Sequence, residues 1–414
     1  MKSISSSFTL AHIQMNILQK SLTSLRFVLS FRKRYSARFV NTQLNNVKVK
    51  EDFEQNEKTE MATENKDTER NWPKRIVTGL QPTGTLHVGN YFSAVQRCVK
   101  LQNEGNDVMI FIADLHALTT KQDPSALQER TLELTACLLA SGVDPARTVL
   151  FAQSAVPRHA ELCWLLACLA THARLAHLPQ YKEKAAAVKE VPLGLLLYPV
   201  LQAADVLVYR GTHVPVGADQ LQHLQVASQL VRTFRHRFGP AFPTPRALLP
   251  EDGSDRIRSL RDPSRKMSKS DSDPKSRVLL SDSDDTIALK IRKAVTDFTP
   301  QVTFDPENRP GVSNLITLHC LAADKLPEEV VEESEGLTTA QYKRVVAAAL
   351  CGALGPVRAR AAELRARPAL LCDALQHGAA RARARADEVY ADVAARVGLG
   401  PPAAARRPAA RAPR

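Results

Sequence analysis

Two clusters in this chain have the residue types and order for phosphate chemistry. The first is Thr85-Leu86-His87-Val88-Gly89-Asn90, directly after a short apolar run. Glycines at 84 and 89 let the backbone approach a ligand closely, and a helix starting behind them aims its free N–H groups at an anion. His87 and Asn90 add donors whose hydrogen bonds strengthen as charge builds on a phosphorus centre. The second cluster, far along the chain, is Lys266-Met267-Ser268-Lys269-Ser270, a polar stretch between Asp262-Pro263 and Asp271. A lysine loop alone is ordinary solvated surface. Combined with the histidine turn, it describes a site that splits a nucleoside triphosphate and neutralises the phosphates that leave.

The surrounding pattern supplies elements to hold them. Residues 75–78 are a short apolar strand, and Val88, Phe92, Val95 and Val99 follow at helical spacing. Residues 108–113 are a continuous apolar run, as in a strand covered on both faces. Asp123-Pro124 starts a helix that Gly142 ends, and residues 148–152 form a third strand. This βαβαβ order predicts an α/β fold with a doubly wound, Rossmann-like parallel sheet, which binds ligands beyond the carboxyl ends of its strands. Residues 154–190 read as helical. Residues 193–208 are apolar with an expected break at Tyr198-Pro199 and a buried Asp205. Strand signals cease after residue 286, and the Ala/Leu/Arg-rich residues 338–397 predict a helical bundle.

A formal charge of +13 suggests a nucleic-acid binder until it is mapped. Residues 1–50 hold nine Lys/Arg and no acid, residues 401–414 hold four Arg and no acid, and the body between is formally neutral. Any RNA surface is therefore a local patch. The basic, acid-free start, with Leu22, Leu25, Phe27, Val28, Leu29 and Phe31 among its arginines, has the composition of a cleavable mitochondrial presequence, cut after the 32–39 region. Residues 51–70 carry eight acids and little to bury, as a linker does. The expected organisation is presequence and linker over 1–70, the sheet domain with the lysine loop over 71–285, helices over 286–398, and a disordered Pro/Ala/Arg tail over 399–414. The seven scattered cysteines show no zinc spacing and are expected to be mostly buried thiols. No protein-built metal site and no membrane span are expected.

Seven blocks in order carry a family resemblance: residues 79–84, His87 to Tyr91, Asp114 to Ala117, Gln180 to Lys184, Tyr198 to Asp205, Val214 to Gln220, and the lysine loop. From 75 to about 397 the chain resembles class I tryptophanyl-tRNA synthetases of the bacterial and mitochondrial type. The resemblance implies that His87, Asn90, Lys266 and Lys269 are catalytic. It also implies that ATP, arriving with Mg²⁺, contacts Gln81, Pro82, Thr83, Gly84, Gly89, Lys182, Lys184, Gly217, Ala218, Asp219, Ile257, Met267, Ser268 and Ser270 as well. L-tryptophan would then meet Asp205, Val77, Gln81, His116, Tyr198, Gln202, Val214, Val216 and Gln220.

Asp205 fits that role because the indole N–H is a donor only and needs a fixed acceptor in an apolar wall. A tyrosine hydroxyl could use the same acceptor, so a tyrosine-specific relative stays open. Ala218 stands where the family has glutamate, which leaves Asp219 without its usual neighbour. That departure and the basic tail keep a non-catalytic RNA-binding relative open, although intact His87, Asn90, Lys266, Lys269 and Asp205 argue against it. Gln202 resembles the mitochondrial branch. The family further implies a homodimer that binds tRNA(Trp) across both subunits and reads the anticodon with the helical part, in the mitochondrial matrix, with no role for DNA.

Overall fold

The computed structural model describes residues 71–250, 252–269 and 271–400. The stretches expected to be presequence and linker (1–70) and tail (401–414), with residues 251 and 270, lie outside them. Strand β1 (Arg75–Leu80) enters α1, which spans 88–103 and whose middle turns, Tyr91–Gln96, are a π-helix. Next come β2 (Asp107–Ile112), α2 (Pro124–Ala140) and β3 (Val149–Ala152). Asp123 caps α2 by accepting from the Ala126 N–H, and Gly142 after it takes φ +103°.

The helical stretch after β3 is three short pieces: α3 (Arg158–Ala167), α4 (His172–His177) and α5 (Pro179–Ala186). Helix α6 (Leu193–Leu207) runs through Pro199, so the break expected at Tyr198-Pro199 is not there. Leu195, Tyr198, Val200, Ala203 and Ala204 are all buried, and that packing offsets the hydrogen bond that proline removes. Strand β4 (His213–Pro215), α7 (Leu221–Phe238) and β5 (Arg246–Leu248) complete the sheet.

The strand order is β3-β2-β1-β4-β5, all parallel. Side chains alternate faces: Ile76, Val108, Ile110, Ile112 and Leu150 enter one core, while Val77, Met109, Phe111, Val149 and Phe151 enter the other. The order reverses between β1 and β4. Ligands of such sheets bind in the crevice at that reversal, beyond the carboxyl ends.

The rest is helical: α8 (Asp284–Arg292), α9 (Pro310–Ala323), α10 (Pro327–Glu333), α11 (Thr339–Arg365) and α12 (Pro368–Arg396). These helices and the sheet form one compact unit, so the boundary drawn at 285 marks a change of element and not a gap between bodies. Helix α11 is long and apolar enough to cross a membrane, yet Tyr342, Val346, Leu350 and Leu354 bury its apolar side in the first core. Helix α12 covers β3 with Ala379, Ala382, Ala386, Val389 and Val393. At Gly378 it comes so close that a Cβ would lie 1.7 Å from the Leu150 carbonyl oxygen.

The Arg/Ala alternation in α12 is explained by this packing. Arg381 donates to the Pro145 carbonyl at 2.6 Å, Arg383 to the Ala155 carbonyl at 2.6 Å, and Arg385 pairs with Asp107 at 2.9 Å. Of the cysteines, Cys98, Cys137 and Cys320 are buried, Cys163 and Cys351 half-buried, and Cys168 and Cys372 exposed. Fewer are core thiols than their apolar settings suggested.

Candidate active site

His87 stands at the end of the β1 turn and caps α1, its Nδ1 accepting from the Asn90 N–H at 3.4 Å. That bond leaves the hydrogen on Nε2, where it can be donated outward. The ring is buried, and burial, then Lys269, Lys266 and Arg277, push its pKa down to about 4. His87 is therefore neutral at pH 7. Gly84 has φ +90°, and a Cβ there would sit 3.0 Å from the Lys269 ammonium.

The lysine loop lies against this turn. Lys269 donates to the Thr83 carbonyl, Val88 donates to Val278 at 2.9 Å, and Leu280 to Leu86 at 2.9 Å. Met267 is buried and its N–H occupies the Ile257 carbonyl at 3.0 Å, which closes the loop base. Lys269 also faces Arg130 and Glu133 from α2 and Arg277 from beyond the loop; burial and the two arginines lower its pKa, with Glu133 opposing. Glu133 itself accepts from the Thr85 hydroxyl at 2.6 Å. Arg130, Glu133 and Arg277 were not among the expected site residues. Arg130 and Glu133 lie on one helical face at i, i+3, a spacing visible in the sequence only once α2 is known to reach the turn.

Beyond β4, Gly217 meets Asp219 so closely that a Cβ would lie 2.7 Å from its carboxylate. Asp219 faces Lys266 at 3.9 Å and accepts from Gln220 at 2.7 Å. Gln220 continues the path to His223 Nδ1 at 2.8 Å, and His223 Nε2 reaches the Tyr198 hydroxyl at 3.0 Å. Gln180 then closes a ring, accepting from Tyr198 at 3.2 Å and donating to the Asp219 carbonyl at 2.7 Å. Lys184 stands over the Tyr198 ring at 4.6 Å. Lys182 is exposed on α5, about 200° round the helix from Lys184, so the expected basic pair does not share one face. Gln81, Thr83 and Asn90 are exposed and Pro82 is buried at the same mouth. Burial, Lys184 and His116 drive the His223 pKa down to about 4 despite Asp219.

Asp205 is fully buried, but it is not a lone carboxylate in an apolar wall. His116 Nε2 lies 2.6 Å from its Oδ2, and its Oδ1 receives Gln153 Nε2 at 2.6 Å and His159 Nδ1 at 2.6 Å. Burial would raise its pKa; the two histidines outweigh burial and hold it at about 2. Gln153 and His159 were missed in the sequence. A polar residue on the apolar stripe His159, Leu162, Leu166 of α3 was the available signal. Asp114 ties the region together by accepting from the Ser154 N–H at 2.9 Å, which fixes His116 and Gln153 relative to each other. Gln202 is half-buried one turn before Asp205, and Val214 and Val216 pack with Val206 and Leu224. Val77, expected to line the pocket, is wholly within the core and meets Val206 across Gly211, so it backs the site.

Cations from a lysine loop facing a neutral histidine at a helix start, at the switch point of a parallel sheet, define a class I synthetase type of nucleotide-activating site. Comparison agrees with the geometry: the family model for class I tRNA synthetases (W and Y) matches residues 69–354. The tryptophan-tRNA ligase of Caldanaerobacter subterraneus subsp. tengcongensis is 41% identical over 326 residues, covering 79% of this chain and 98% of the relative. Among solved structures, tryptophanyl-tRNA synthetase from Mycoplasma pneumoniae superposes with TM-score 0.72 at 30% identity, covering 79% of this chain and 98% of that one. The Campylobacter jejuni enzyme complexed with ADP and tryptophan gives 0.66 at 31%, covering 78% and 100%. The chain belongs to the class I tryptophan-tRNA ligases.

Proposed function

We propose that this chain activates L-tryptophan with ATP to tryptophanyl-adenylate and pyrophosphate, then transfers tryptophan to the 3′-terminal adenosine of tRNA(Trp) in the mitochondrial matrix. The observations that carry it are the lysine loop packed on the His87 turn and the buried Asp205 carboxylate held by His116.

The reaction is in-line attack of the amino-acid carboxylate on the α-phosphorus. The attacking group is already an anion, so no general base is required, and catalysis rests on positioning and charge neutralisation. Neutral His87 donates from Nε2 to the α-phosphate as its charge grows. Lys266 and Lys269 neutralise the departing pyrophosphate. The Lys266–Asp219 pair is open to solvent and weak, so the ammonium is released to phosphate at little cost. ATP enters as its magnesium complex, the ion arriving with the nucleotide it bridges.

Mitochondrial placement is supported by the basic, acid-free residues 1–50. A homodimer is supported by large apolar side chains that one chain leaves uncovered: Trp164 is 71% exposed, Leu193 74% and Leu118 60%. Anticodon reading is assigned to the helices after 286. The test is ATP/pyrophosphate exchange by the protein starting near Trp72. Stimulation by tryptophan and not by tyrosine is expected; stimulation by tyrosine would move the specificity to the sister enzyme, and tRNA binding without exchange would leave a non-catalytic RNA binder.

A further inference from the structure

Asp205 has room for about four hydrogen bonds on its two oxygens. Three are taken: Oδ1 by Gln153 and His159, Oδ2 by His116. The indole N–H is left one acceptor direction, on Oδ2. How firmly that direction is fixed depends on what holds Oδ1, and here the structure is specific. His159 is wholly buried between two partners, its Nδ1 on Asp205 and its Nε2 at 2.7 Å from the Tyr209 hydroxyl. Tyr209 is also wholly buried, one helical turn beyond Asp205, and its ring meets those of His159 and Phe151 edge-on.

Since an ionised carboxylate only accepts, His159 must carry its hydrogen on Nδ1. In the neutral imidazole Nε2 is then the acceptor, and the Tyr209 hydroxyl donates to it. Gln153 is fixed likewise, because turning its amide would set a carbonyl against the carboxylate. Its Oε1 is left buried with no hydrogen-bond partner among the described residues.

We propose that Tyr209 and His159 are positioning residues for amino-acid selection. Tyr209 sets the tautomer of His159, and His159 pins Oδ1 of Asp205, so that Oδ2 faces the amino-acid pocket at a single angle. This rests on Asp205 being the acceptor for the indole N–H. The relay touches no phosphate-binding residue and acts on the side chain of the substrate alone.

The test compares tryptophan with its benzothiophene isostere, which keeps the ring shape and lacks the N–H, in exchange assays on the full chain. Wild type is expected to favour tryptophan in kcat/KM by on the order of 10³-fold or more. Tyr209→Phe and His159→Leu should each cut that ratio about ten-fold or more through a raised KM for tryptophan, with KM for ATP unmoved. His159→Asn, whose amide can donate from the Nδ1 position, should restore most of it. A general packing defect would lower both substrates alike and leave the ratio intact.

Tyr209→Phe removes one oxygen from a buried ring and keeps the assay interpretable if His159→Leu does not fold. An unchanged ratio in folded Tyr209→Phe, or no rescue by His159→Asn, overturns the proposal. Asp205→Asn separates the two levels: if it keeps the ratio, Asp205 is not the indole acceptor and both inferences fall. If it loses the ratio while Tyr209→Phe keeps it, only the relay falls.

Discussion

His87 and His223 should make this protein acid-labile well above the range where carboxylates protonate. Each is held neutral in the fold with a pKa near 4, against 6.5 for a free imidazole. Between those values the unfolded chain binds more protons than the folded one, so stability is full above pH 6.5 and falls as the pH drops toward 4. At pH 5, about 1.5 units below the free value and at about 1.4 kcal/mol per unit, each histidine removes about 2 kcal/mol, or about 4 kcal/mol together. His213 and His319, also pushed down by burial, add in the same direction. The depressed carboxylates, Asp205 and Asp107 among them, lose their contribution only below pH 3.8 and stay silent in this window. The assay is urea unfolding from pH 7.5 to 5 at fixed protein concentration, on wild type and on His87→Asn/His223→Gln. The double variant should lose most of the pH slope. An equal slope in both proteins would mean that these rings are not buried neutral, and the Nε2–H donor role of His87 would lose its basis.

Three further outcomes follow from the geometry. Lys269→Ala should lower adenylate formation far more than tryptophan binding, by 10²-fold or so as judged from loss of one transition-state contact, measured by single-turnover formation against equilibrium dialysis. Gly378→Ala should destabilise by about 1–3 kcal/mol or more, because the new methyl meets the Leu150 carbonyl and must push α12 off β3; a thermal melt unchanged from wild type would contradict that contact. Deleting residues 1–50 should move a tagged protein out of mitochondria, seen by fractionation.

The chemistry-bearing turn and loop were legible because each rests on local rules: a strand, glycines, a helix start, and lysines in a polar stretch. So were β1, β2 and β3, whose apolar runs match the observed strands within two residues or so. What escaped was long-range. Pro199 predicted a break because only the sequence was in view, whereas Tyr198, Val200 and Ala203 bury that turn of α6 and keep it helical. Composition alone gave the arginines of α12 no partner, whereas Asp107 and two carbonyls of the sheet domain take Arg385, Arg381 and Arg383. Asp205 was picked out correctly as buried, but two of its partners come from the turn after β3 and from α3, and nothing in spacing announces Gln153 or His159 as neighbours of a residue on α6.

The two halves of the site are built on opposite electrostatic plans, and this bears on how substrates are told apart. Around the lysine loop, Lys266, Lys269, Arg130 and Arg277 gather with few acids; burial first, and then these cations, keep His87 neutral, and burial with the two arginines keeps Lys269 below its ordinary pKa. That half is short of negative charge until a triphosphate supplies it, and Lys266, exposed and only weakly paired with Asp219, is free to move to it. Around Asp205, the pocket we propose for the amino acid, the carboxylate takes three donors that are locked in the core. A loose cationic half suits a leaving group whose charge grows during the reaction. A rigid anionic half suits a side chain that must be recognised before it. Closure of the lysine loop can therefore be driven by ATP without disturbing selection, and substitutions at Lys266 or Lys269 should alter rate while leaving the preference for tryptophan over tyrosine as it was. A change in that preference, read from the ratio of exchange rates, would show that the two halves are coupled.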